Sequence, residues 1–81
     1  MNTDLSQLFT TSELNLAAAI LSLGKELHSL NKFNPKKAYF VFVLSDDLQK
    51  VIDDYWANKL FVPARTYGEN IRLLKSRIYG S

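Results

Sequence analysis

The sequence holds no cysteine, one histidine, two prolines and three glycines in 81 residues. The missing cysteines exclude a disulfide scaffold, a thiol nucleophile and a thiolate metal site. A lone histidine leaves no partner for a catalytic triad or a multi-histidine zinc site. The glycines, Gly24, Gly68 and Gly80, are far apart. Neither a P-loop nor a dinucleotide fingerprint can be written through them. The longest apolar run, Ala38 to Leu44, is strand-sized and far short of the roughly 20 residues a membrane helix needs. Met1-Asn2-Thr3-Asp4 offers no basic segment ahead of an apolar block, so no signal peptide is visible. These absences point to a cytoplasmic, non-enzymatic protein without cofactor or metal.

What is present is ordinary for a globular chain: 47% hydrophobic and 22% charged residues. The length allows one domain, 1–81, with residues 1–4 polar and frayed. A chain this short buries only about 60% of the surface its unfolded form exposes. Without a covalent staple it needs a dense core or a second subunit. Ten Lys and Arg against eight Asp and Glu give +2. That excess permits nucleic-acid binding without demanding it.

Local patterns predict the elements. Leu5 to Phe9 suits a short strand. Thr10-Thr11-Ser12-Glu13 has the spacing of a capping box, with Phe9 and Leu14 placed as a hydrophobic staple. A helix follows from Thr11 to about Leu23, stopped by Gly24. Leu14, Leu16, Ala17, Ala18, Ala19, Ile20, Leu21 and Leu23 surround almost its whole circumference. Such a helix is buried on more than one side, against a sheet and either another helix or a second copy of the chain. Lys25 to Asn31 reads as a polar-leaning strand. Phe33-Asn34-Pro35-Lys36 reads as a turn. Ala38 to Leu44 is the strongest strand, apolar on both faces and so expected to be central and covered on both.

Ser45 is a good helix cap, with Asp46 and Asp47 complementing the dipole. Leu48, Val51, Ile52, Tyr55 and Trp56 then form one apolar stripe to about Ala57. Leu60 to Val62 is a loop or a short fourth strand. The last helix starts near Pro63, or near Tyr67 if Thr66 and Glu69 form a second capping box, and ends near Tyr79. The order β-α-β-β-α-(β)-α gives an α+β domain with a three- or four-stranded sheet and three helices. With the fourth strand it matches the split βαβ, ferredoxin-like order plus a C-terminal helix. The first and third strands would then be central, and the last helix could cover the open sheet face.

The succession Leu8-Phe9-Thr10-Thr11-Ser12-Glu13-Leu14, Leu21-Ser22-Leu23-Gly24, Phe40-Val41-Phe42, Tyr55-Trp56 and Leu74-Lys75-Ser76-Arg77 resembles an uncharacterised family of small bacterial and phage proteins, a domain of unknown function. The resemblance spans Phe9 to Tyr79. It implies a self-contained domain, from a phage or mobile element, and no active site.

Chemistry-bearing residues are sparse. His28 reads as a solvated strand residue. Asp47 and Asp54 share a helix face about 10 Å apart, too far to hold one Mg²⁺ without another element. The basic residues carry more. Lys32, Lys36 and Lys37 bracket the hairpin tip. Arg65, Arg72 and Lys75 lie along one side of the last helix, with Arg77 on its flank. Read structurally, they are a solvated surface with local pairs such as Arg65 with Glu69. Read functionally, they contact phosphates. Tyr39 could stack on a base if its sheet face is open, although Tyr39-Phe40 lacks the small residues of an RNA-recognition strand.

The leading expectation is a nucleic-acid-binding accessory protein of low sequence specificity, as a monomer or homodimer. It would use Lys32, Lys36, Lys37, Tyr39, Arg65, Arg72, Lys75 and Arg77. The alternative is a protein-interaction module acting through an apolar helix or a sheet edge.

Overall fold

Strand and helix signals resolve into six elements in a computed structural model that describes residues 7–34 and 36–79. In chain order they are β1 (Leu8–Thr11), α1 (Leu14–Ser22), β2 (Ser29–Asn34), β3 (Lys37–Val43), α2 (Asp46–Trp56) and α3 (Ala64–Tyr79). The expected frayed start, the Leu5 end of the first strand, Pro35 and the Gly80-Ser81 end lie outside the described residues.

The aromatic, β-branched run of β3 takes the centre of a three-stranded sheet ordered β1-β3-β2. Both neighbours are antiparallel to it, so β1 and β2 run parallel with β3 between them. This is the split βαβ arrangement. The fourth strand is absent among the described residues. Asn58 adopts a left-handed φ of 60°. Its N–H reaches the Tyr55 carbonyl at 3.0 Å, and that of Lys59 reaches Asp54 at 2.8 Å. These two bonds close α2 in a Schellman motif. Pro63 then opens α3 directly, its carbonyl accepting from the Tyr67 N–H at 2.9 Å. Only Leu60, Phe61 and Val62 remain between, too few for a ladder. Thr66 and Glu69 fall inside α3 rather than at its start. β1 is therefore an edge strand, not a central one.

Alternation along β3 separates two faces. Phe40 and Phe42 point inward and are 1% exposed. Phe9 of β1 and Leu30 of β2, paired with Phe42 and Phe40, extend that face. α1 lies in the same cluster. Leu16, Ala17, Ala18 and Ile20 are fully buried, and Ala19 almost so. α2 contributes Leu48 and Ile52, and α3 contributes Leu74. α3 packs along α1 and not on the far side of the sheet. The second side of α1 is thus covered within the chain, and no second copy is needed there. Asn70 Nδ2 of α3 donates to Ser22 Oγ at 3.0 Å, and Ser22 Oγ donates to the Ala18 carbonyl at 2.7 Å.

The opposite sheet face is uncovered among the described residues, against the expectation of cover on both sides. Tyr39, Val41 and Val43 share it with Leu8, Thr10, Ser29 and Asn31. These side chains shield one another across the strands, so Tyr39 and Val41 are only half-buried.

Two local corrections follow from pairing. β2 starts four residues later than expected and ends three later, because Asn31 and Asn34 hold the hairpin end while Lys25 to His28 lie before the strand. The predicted capping box does not form, because Thr10 and Thr11 are paired with Val41 and Phe40 in the sheet. Instead Thr11 Oγ1 accepts the Glu13 N–H at 3.0 Å. Glu13 becomes the cap residue without a side-chain cap. The Ser45 cap holds, accepting from the Leu48 N–H at 3.1 Å.

Gly24 ends α1 at φ +90°, and nothing lies within 4 Å of where a Cβ would stand. The constraint there is backbone conformation alone. Gly24→Ala should therefore lower stability by about 1–2 kcal/mol, whereas Phe42→Ala should lower it by about 3–5 kcal/mol through lost burial and a cavity. Urea midpoints at unchanged slope measure both.

Candidate nucleic-acid interface

Charge along the chain is segregated. Segments 27–44 and 70–79 contain six of the ten basic residues and no carboxylate. The other four basic residues share the rest of the chain with all eight acids. Three of those four are paired on the surface: Lys25 with Asp47 at 3.8 Å, Lys50 with Asp54 at 3.7 Å and Arg65 with Glu69 at 3.5 Å. Among the described residues, Lys32, Lys36, Lys37, Arg72, Lys75 and Arg77 make no ion pair.

The fold joins the two basic segments. The Lys32 Nζ donates to the Arg77 carbonyl at 3.0 Å. This places an ammonium on the last turn of α3, where the helix dipole favours a cation. The hairpin is shaped by its asparagines. A bulge interrupts the ladder between Asn31 and Asn34. Asn31 Oδ1 accepts the Phe33 N–H and Asn34 Oδ1 the Lys36 N–H, both at 2.9 Å. Such turns present the neighbouring side chains outward, and Phe33 is 93% exposed. Between the hairpin and the end of α3 lies a cleft of about 500 Å³. Leu14, Phe40 and Ile78 form its apolar part, and Lys32, Lys36 and Lys37 line it with Ser12, Asn34 and Tyr79.

Not every expected residue joins this end. Arg72 and Lys75, three apart, share a helix face. Arg77, two residues beyond Lys75, falls about 200° around the axis on the opposite flank. Arg65 stands about 18 Å up the helix from Arg77 and is paired with Glu69, so the fold sets it apart. Tyr39 sits on the open sheet face across from Asn31, and alternation puts Lys37 on that same face. His28 is exposed. No group of three metal-ligating side chains occurs among the described residues. Asp53 accepts a hydrogen bond from Gln49 Nε2 at 3.0 Å, and Asp47 and Asp54 are in the surface pairs above.

Exposed aromatics were the main feature hidden from sequence reasoning. Phe33 was masked by the turn signal around it. Tyr79, 80% exposed, reads only as the end of the last helix. Phe61, 90% exposed, belongs to a run too short to show a period. Trp56, 63% exposed, closes the α2 stripe and meets Tyr55 edge-on at 5.0 Å between ring centres. A second hollow of about 400 Å³ beside it is lined by Tyr55, Trp56, Leu60, Val62 and Tyr67 among others. No described helix is long and apolar enough to cross a membrane.

A family model for a domain of unknown function, DUF5659, matches residues 6–80. The chain belongs to that family, as its motif order suggested. No curated protein and no solved structure matches it.

One titratable group is perturbed. Burial, then the neighbouring Glu13 carboxylate, raises the Tyr55 hydroxyl above its ordinary value. The hydroxyl bonds Glu13 Oε2 at 3.2 Å. The folded state thus holds this proton more tightly than the unfolded one. Its contribution to stability is full below pH about 10 and lost as pH rises through the higher folded value. In Tyr55→Phe, the most alkaline part of the phenolate absorbance change and that part of the stability loss should both disappear, as followed by ultraviolet titration and urea melts between neutral and strongly alkaline pH.

Proposed function

We propose that this member of the DUF5659 family is a small non-enzymatic nucleic-acid-binding accessory protein of the cytoplasm, phosphate-directed and of low sequence specificity. The phage or mobile-element origin implied by the sequence resemblance belongs to the same reading. The observation that carries it is the charge arrangement. Six cations make no ion pair among the described residues, and the Lys32–Arg77 contact joins the two chain segments that carry them. The modest +2 of the whole chain conceals this local excess. Phosphate contacts of this kind position a strand without reading its bases. Engaging all six would give a logarithmic salt slope near −5 on duplex DNA, from about −0.9 per phosphate.

A second reading has its own support. Trp56 and Phe61 expose aromatic surface beside an apolar hollow, a composition favoured at protein interfaces. Among the described residues β1 also lies at the edge of the sheet. Under that reading the protein is an interaction module or a homodimer, and its binding is largely insensitive to salt.

Fluorescence anisotropy with labelled oligonucleotides over a salt series separates the two. Arg72 and Lys75 are exposed and outside the core. The double variant Arg72→Glu, Lys75→Glu should fold normally, weaken binding at least tenfold and reduce the salt slope by about two. Unchanged affinity would remove α3 from the interface.

A further inference from the structure

The cleft between the hairpin and α3 has a composition that a plain phosphate-binding surface does not require. Its cationic rim is matched by an apolar interior of Leu14, Phe40 and Ile78. At its mouth stands the largely exposed ring of Tyr79. Its volume of about 500 Å³ lies within the range of about 300–1,000 Å³ typical of small-ligand sites. The Lys32 bond to the Arg77 carbonyl ties the two walls together, so the hollow is built by the fold. A ring that stacks, an apolar interior and ammonium groups at the rim are the combination that receives a base together with its phosphate.

We infer that this cleft takes one unpaired nucleotide of a single strand, its base against Tyr79 and its phosphate at Lys32 and Lys36. The inference rests on the nucleic-acid reading above and adds strand selection to it. A base paired within a duplex is held in its stack and enters such a hollow only after unstacking, which costs a few kcal/mol. An unpaired base enters without that cost. The exposed cations of α3 serve either kind of strand, so Tyr79 is the residue whose effect depends on strand type.

The test is anisotropy at near-physiological salt with a labelled oligothymidylate and a duplex of equal length. The proteins are the full chain, Tyr79→Ala, Tyr79→Phe and the Arg72→Glu, Lys75→Glu variant. Far-UV circular dichroism checks that each is folded. The wild type should bind the single strand more tightly than the duplex. Tyr79→Ala should lose about tenfold on the single strand, a typical stacking contribution, with duplex affinity and salt slope unchanged. Tyr79→Phe should retain wild-type affinity. The charge-reversal variant should weaken both. A duplex preference in the wild type, or a Tyr79→Ala effect that is absent or equal on both strands, overturns the cleft assignment and leaves the basic surface standing. Absence of binding to either strand overturns both.

Discussion

The burial of α1 between the sheet and α3 is the constraint on which the architecture rests. Three successive alanines present little side-chain volume, so neighbouring elements can approach this helix closely on several sides. Phe40 and Phe42 fill one side, and Leu74 of α3 enters the same cluster. A chain of this size has few residues to place in a core, and one helix used on most of its circumference makes them sufficient. The placement of α3 follows from this. Because it lies along α1, it leaves the far face of the sheet uncovered, and its last turn arrives beside the β2–β3 hairpin. Packing in the interior thus sets where the surface charges meet.

That meeting has an electrostatic cost that the free protein bears. Like charges gathered at one end repel, by small amounts in water and less at higher salt. The Lys32 contact offsets part of this by placing one ammonium at the negative end of a helix dipole. Five of the eight acids lie on α2 and α3, and each of the three surface ion pairs uses one of them. Such pairs contribute little to stability individually. Their consequence here is distribution: they occupy basic residues outside segments 27–44 and 70–79 and leave the cations of those segments without an ion pair among the described residues.

Much of the fold was legible because its signals are local. The Ser45 cap, the Gly24 stop and the period of Leu48, Val51, Ile52 and Tyr55 each follow from a few neighbouring residues. Less local features were not legible. Thr10 and Thr11 have the spacing of a cap, but pairing with β3 takes precedence. The two apolar faces of β3 suggested two covers, although β-branched and aromatic residues on an open face can shield one another. Leu60 to Val62 looked adequate for a strand until the Asn58 turn and Pro63 bounded it. For the candidate interface, individual basic residues were visible in sequence, but their grouping was not. Nothing in the linear spacing of Lys32 and Arg77 brings them together; the path of α3 over α1 does. The same path separates Arg65 from the group and sets Tyr79 at the cleft.

The missing fourth strand leaves the sheet with two unlike borders among the described residues. Along β2 the bulge after Asn31 breaks the regular spacing of outward amides and carbonyls. Along β1 the four residues from Leu8 to Thr11 pair in unbroken register with β3, so their other side keeps an even row of donors and acceptors. The sheet therefore has one regular border and one interrupted border. A strand added beyond β1 would continue the regular ladder, on the opposite side of β3 from the bulged β2.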